Sequence, residues 1–222
     1  AYSKGLEDGG VLSVSKHFPG HGDTDVDSHK ALPVLPFTRA RLDSIELYPF
    51  RKAIRAGLGG MMVGHLEVPT IEPQKGLPSS LSRKVVSGLL VNDLGFQGLV
   101  FTDALAMKGV SGNESICLQA LKAGNDLLLV PRRIKEEVEA VLAAVKKGEL
   151  TETKCRKVLK YKYALGLEKK PHVQLSGLGT RINTPKTRDL MRRLNLAAIT
   201  VLDNRDEVLP LDPSIGEVAV LN

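Results

Sequence analysis

Long apolar runs are missing from this sequence. No stretch of 18 or more hydrophobic residues occurs among its 222 positions, so no membrane-spanning helix is expected. The first ten residues lack the basic start and apolar core of a secretory leader. An initiator methionine is also missing, and the text opens in mid-pattern, so the natural N-terminus is expected to lie upstream. Aromatic residues make up only 4%, and no arginine-rich motif accompanies the net charge of +6. A nucleic-acid partner is therefore not expected, and the basic excess between Lys154 and Arg193 reads as a solvated helical face. The two cysteines, Cys117 and Cys155, form no CxxC pair and read as buried free thiols.

Short apolar runs alternating with amphipathic stretches make up most of the chain. Val11–Val14, Met61–Val63, Leu99–Phe101 and Asp126–Val130 have the length and composition of strands buried on both faces of a parallel sheet. Between and after them, helical spacing marks 38–56, with Thr38 as N-cap and Ile45, Leu47, Phe50 and Ile54 on one stripe, then 82–94, 114–123 and 134–147. The order βαβαβαβα predicts an α/β fold with a parallel sheet or barrel. Four strands are too few to close a (β/α)8 barrel of about 250 residues. The fold read from this pattern is therefore half of a TIM-type barrel over residues 1–170. Residues 171–222 read as a linker and the start of a second α/β domain, with a helix at 187–198 and strands at 199–202 and 218–221. Such a half barrel has two open sheet edges, which predicts that a missing barrel half or a second copy completes it.

Chemistry is concentrated in Lys16-His17-Phe18-Pro19-Gly20-His21-Gly22-Asp23-Thr24-Asp25-Val26-Asp27-Ser28-His29, which holds three of the five histidines. Its glycines and proline permit a tight loop over the end of the first strand. Asp27 and His29 are close enough in sequence for a carboxylate to orient an imidazole, the machinery of general acid/base catalysis. The same side chains could equally satisfy backbone groups of the loop. His17, His21 and His29 do not follow a standard zinc spacing, so neither metal nor cofactor is expected. Asp103 ends the third apolar run, where a carboxylate faces a barrel mouth. Taken alone, Asp103 reads better as an ordinary helix N-cap.

The motif K-H-F-P-G-H-G followed by D-S-H closely resembles the catalytic loop of glycoside hydrolase family three, in its β-N-acetylglucosaminidase branch. Phe101-Thr102-Asp103-Ala104-Leu105-Ala106-Met107 is similar to that family's nucleophile segment, and Met61–His65 and Ala120–Asp126 resemble its later barrel strands. The resemblance extends over about residues 1–170, which implies the C-terminal half of a TIM-type barrel there. Residues 171–222 are similar to the start of the α/β sandwich domain of its two-domain members. It implies Asp103 as nucleophile, His29 as acid/base and Asp27 as its dyad partner, with Lys16, His17 and, by a weaker match, His65 binding the sugar. It further implies a retaining hydrolase acting on N-acetylglucosamine-containing glycans or muropeptides, with a role in cell-wall recycling and a tilt toward a periplasmic or exported location. One departure is Ala104, where many single-domain bacterial members carry a second acidic residue. Two rivals follow from the same residues. A phosphorylase is one, because a neutral histidine repels an anionic acceptor less than a carboxylate does. The other is a non-catalytic sugar-binding remnant, against which Asp27, His29 and Asp103 stand together.

Overall fold

The computed structural model describes residues 1–28, 30–110, 115–169, 172, 174–207, 209–212, 214 and 216. The chain divides into two compact units, Ala1–Lys170 and Pro171–Asn222. In the first, helix α1 (Tyr2–Asp8) precedes strand β1 (Val14–Phe18), and helices α2 (Arg39–Arg41) and α3 (Tyr48–Arg55) precede β2 (Gly60–Val63). A π helix, Lys84–Asp93, leads to β3 (Leu99–Ala104), helix α4 (Ile116–Ala123) to β4 (Leu127–Leu129), and α5 (Ile134–Lys146) and α6 (Thr153–Ala164) follow. The strands form one sheet in the order β1-β2-β3-β4, and every neighbouring pair is parallel.

Register explains which face is buried. Met61 pairs with Val100 and Met62 with Phe101. Met61, Val63, Val100 and Thr102 alternate onto the face covered by helices and are essentially fully buried there. The π helix adds Val85, Val86, Leu89 and Leu90 to that core, and Leu42, Leu47 and Phe50 come from the segment before β2. On the other face Met62 and Phe101 are only half-buried, whereas burial on both faces was expected. Among the described residues the sheet has four strands and encloses no barrel interior, so that face keeps solvent contact. Asp103 continues the alternation of Leu99 and Phe101 onto this open face.

Several boundaries differ from expectation. The first strand is Val14–Phe18 rather than 11–14, because pairing with β2 runs from Val14–Gly60 to Phe18–Val63. Lys16 and His17 therefore lie in the strand and not after it. The helix expected over 38–56 is interrupted. Thr38 does cap it, accepting from Arg41 N–H at 3.3 Å, but α2 passes into a π turn at Leu42–Glu46 before α3 starts. Pro49, near the start of α3, lacks the N–H that would bond the preceding turn. Ile45 is consequently turned outward, at 55% exposure. Cys117 is buried, and burial, with Glu137 beside it, pushes its thiol up to about 12; Cys155 is exposed, contrary to expectation.

Tight packing at the start of the strands fixes Gly98. A Cβ there would stand 2.3 Å from the Gly59 carbonyl oxygen, which accepts the Leu99 N–H at 2.8 Å. Beneath the same strands Asp126, its side chain fully buried, accepts from Val100 N–H and meets Lys157 at 2.7 Å and Lys154 at 3.0 Å, tying α6 to the sheet.

The second unit contains helix α7 (Leu178–Ile182) and helix α8 (Pro185–Ala198), the latter capped by Thr184. Residues 199–202 are not a strand, and Leu202 is 94% exposed. An isolated extended segment with no partner strand has nothing to pair its backbone groups. The strand expected at 218–221 lies outside the described residues.

Candidate active site

Two strand ends and one loop build the site. Lys16 and His17 come from β1, Asp103 from β3, and the loop after β1 supplies His21 to Ser28. Together Lys16, His17, His21, Asp27, Ser28 and Asp103 contribute to the lining of one pocket of about 500 Å³. His29 lies outside the described residues.

Asp103 has two different neighbours. Its Oδ1 accepts the N–H of Ala104 at 2.7 Å, and its Oδ2 stands 3.7 Å from His17 Nε2. The longer separation is an electrostatic contact rather than a hydrogen bond. Both side chains keep some exposure toward the pocket, 27% for His17 and 17% for Asp103. Burial pushes the His17 imidazole below its ordinary range, with Lys16, His21 and His65 adding to that effect and Asp103 opposing it. The ring is therefore neutral near pH 7 and can either donate or accept a hydrogen bond.

His65 sits differently from the sugar contact the resemblance implies. It is fully buried behind the strand ends and does not line the pocket. Nε2 lies 3.1 Å from the Ala104 carbonyl and Nδ1 lies 2.7 Å from Ser80 Oγ. A carbonyl only accepts, so Nε2 carries the proton and Nδ1 receives the Ser80 hydroxyl. Burial lowers the pKa of this histidine too, against weaker opposing effects of the Ala104 carbonyl and Asp103.

Spacing missed what holds the loop after β1 in shape. His21, weighed as a metal ligand, instead spends both ring nitrogens inside the loop, at 2.9 Å from Thr24 Oγ1 and 2.9 Å from Ser28 Oγ. Its ring also meets that of His17 edge-on, with centroids 6.0 Å apart. Ser28 is buried next to Asp27, whose carbonyl accepts the N–H groups of Lys30 and Ala31. Arg41 anchors the far side of the loop, bonding Asp23 at 2.8 Å and Glu46 at 2.9 Å. Gly20 has φ +136°, and a Cβ there would lie 2.8 Å from Glu46 Cβ. Only glycine fits that approach. Among the described residues no group of three or more His, Cys, Asp or Glu side chains is arranged to hold a metal ion.

This arrangement has relatives. The model of the glycosyl hydrolase family 3 N-terminal domain matches residues 1–160. The chain is 34% identical to a β-hexosaminidase A of Pseudoalteromonas piscicida over 95% of this chain and 39% of that one. It is 40% identical to a β-hexosaminidase of Nitrosospira multiformis over 63% of this chain and 40% of that one. Among solved structures, a glycoside hydrolase family 3 β-N-acetylglucosaminidase from Paenibacillus sp. superposes with a TM-score of 0.77 at 40% identity, covering 86% of this chain and 38% of that one. A β-glucoside phosphorylase superposes with a TM-score of 0.82 at 25% identity, covering 96% and 41%. The chain thus spans about two fifths of the length of these relatives. With the family model matched over most of its length, and an α/β unit built on a parallel sheet, the chain belongs to glycosyl hydrolase family 3.

Proposed function

We propose that this chain supplies the nucleophile and acid/base loop of a retaining β-N-acetylglucosaminidase. The observation that carries the reading is the shared pocket of Asp103, His17 and Asp27, in a chain related to β-hexosaminidases. In the first step an Asp103 oxygen attacks the anomeric carbon while the glycosidic C–O bond breaks, and His29 gives its proton to the departing oxygen. In the second, neutral His29 takes a proton from water, the hydroxide oxygen bonds to the anomeric carbon, and the ester to Asp103 breaks. Asp27 holds the imidazole in the required tautomer and balances its charge. Lys16 and His17 bind sugar hydroxyls. The substrate class is a terminal β-linked N-acetylglucosaminide, muropeptides included, and cell-wall recycling is the process it fits. Among the described residues β1 and β4 have no outer partner strand. This, with the half-buried face that carries Asp103, supports completion of the site by further strands, from this protein or a second copy.

Hydrolysis of a chromogenic N-acetylglucosaminide by the full-length protein tests the reading, with initial product analysed for anomeric configuration. A β-configured product, and loss of turnover in Asp103→Ala, are expected. An α-configured first product would exclude the double displacement. The phosphorylase neighbour gives a second reading a specific basis. Sugar 1-phosphate as the main product in phosphate buffer would replace hydrolysis with phosphorolysis.

A further inference from the structure

A buried chain of hydrogen bonds runs from the start of β4 to the carboxylate of Asp103. Asn125, fully buried, donates from Nδ2 to the carbonyls of Ser80 and Ala120, at 2.8 Å each. Ser80, also fully buried, gives its hydroxyl to His65 Nδ1. His65 Nε2–H then reaches the Ala104 carbonyl, and the N–H of that same residue is bonded to Asp103 Oδ1. The Ala104 carbonyl also receives the Met107 N–H at 3.0 Å, so the residue after Asp103 is held on both its peptide groups.

We propose that His65 is a positioning residue: its Nε2–H grips the Ala104 carbonyl and so fixes the carboxylate of Asp103 for in-line attack. The inference rests on the reading of Asp103 as nucleophile and deepens it. Three facts favour this role over a direct hold on substrate. His65 has no exposed surface, both its nitrogens are committed within the protein, and it stands behind the pocket wall rather than in it. The Ala104 carbonyl and N–H belong to successive peptide planes that meet at its Cα. Holding the carbonyl from His65 and Met107 therefore restrains the two backbone torsions that set the N–H against Asp103 Oδ1. Ala104 itself has no polar side chain to brace the turn, so the bracing comes from the neighbouring strand end.

Effective catalysis depends on reacting atoms held within a fraction of an ångström, and a 1 Å misplacement costs on the order of 100-fold. The test uses the full-length protein and steady-state kinetics on a chromogenic N-acetylglucosaminide. His65→Phe keeps ring volume and removes both nitrogens. It is expected to lower kcat by about 100-fold with KM within about two-fold, because sugar contacts are untouched. His65→Gln, whose amide N–H can take the place of Nε2–H, is expected to recover most of that loss. A merely structural histidine would not give this split or this rescue. Unchanged kcat in His65→Phe, or a raised KM at constant kcat, would overturn the proposal. Should the phenylalanine variant fail to fold, Ser80→Ala decides: it leaves the donor but frees the ring, and should lower kcat by roughly 10-fold at constant KM. Unchanged kcat there would equally overturn it. Asp103→Ala assayed alongside separates the two levels. Full activity in that variant removes the nucleophile reading and this one with it. An inactive Asp103→Ala beside a fully active His65→Phe removes the positioning role alone.

Discussion

His17 Nε2 stands 3.7 Å from Asp103 Oδ2, too far for a hydrogen bond and close enough to feel its charge. The two side chains come from β1 and β3, with β2 between them, and both border the pocket. This spacing leaves room for a sugar hydroxyl to bridge the ring without tying up the carboxylate. His17→Phe should therefore raise KM by about 10-fold, the loss of one hydrogen bond to substrate. Initial-rate kinetics on the chromogenic glycoside measure it. An unchanged KM would show that the ring does not touch the sugar.

Acid should destabilise the first unit through two histidines. His17 and His65 both have imidazoles held below their ordinary range by burial. In the unfolded chain the same rings take up protons near pH 6.5. Below that pH the unfolded state binds more protons than the native state, so the free energy of unfolding falls as pH drops. The decline begins near 6.5 and ends once the pH passes below the depressed native values. Urea midpoints between pH 7.5 and 5 should move downward, with less of that movement in His65→Gln. A midpoint that rises or stays flat over this range would contradict the assignment of both rings as buried and neutral.

The strands β2, β3 and β4 were legible because each contains a short apolar run, and burial in a parallel sheet favours that composition. By contrast β1, Val14–Phe18, shares only Val14 with its expected run, because Lys16 and His17 interrupt the apolar pattern. The interruption before α3 was also written in the chain, at Pro49, but helical periodicity on both sides of it masked the break. By its place at the end of a strand Asp103 looks identical to a helix cap, and only the likeness of Phe101–Met107 to a known nucleophile segment set it apart. His65 shows where sequence stops. Its partners lie 15 and 39 residues away, and no local spacing announces that one nitrogen meets Ser80 and the other Ala104. Residues 199–202 failed in the opposite way: strand-like side chains without a partner strand did not make a strand.

The loop that carries Asp27 should depend on His21 for its shape more than the fold does. His21 links Thr24 to Ser28 through its two nitrogens, all within eight residues, and contributes nothing to the sheet core. His21→Phe preserves the ring and removes both bonds. Expected is a loss of kcat on the order of 10-fold or more, from misplaced acid/base groups. Thermal stability should change little, since the loop is peripheral to the core. Paired kinetics and melting curves check this. A large drop in melting temperature with intact kcat would mean that His21 supports the fold and not the loop.

Asp126 is the counterpart at the opposite end of the strands, where stability rather than chemistry is at stake. Its carboxylate is fully buried, and the charges that compensate it, Lys154 and Lys157, are about a third exposed. Each lysine also has a backbone carbonyl, Gly124 for Lys154 and Gly98 for Lys157, so neither is stranded when the carboxylate is neutralised. Asp126→Asn should therefore cost less than the 3–5 kcal/mol of a broken, fully buried pair, or about 2 kcal/mol. The loss falls on the hold of α6 against the sheet, because the Val100 N–H can still find the amide oxygen. Urea unfolding should show a lower midpoint with an unchanged slope. A cost below about 0.5 kcal/mol would place the pair with ordinary surface ion pairs, and α6 would then owe its position to apolar packing alone.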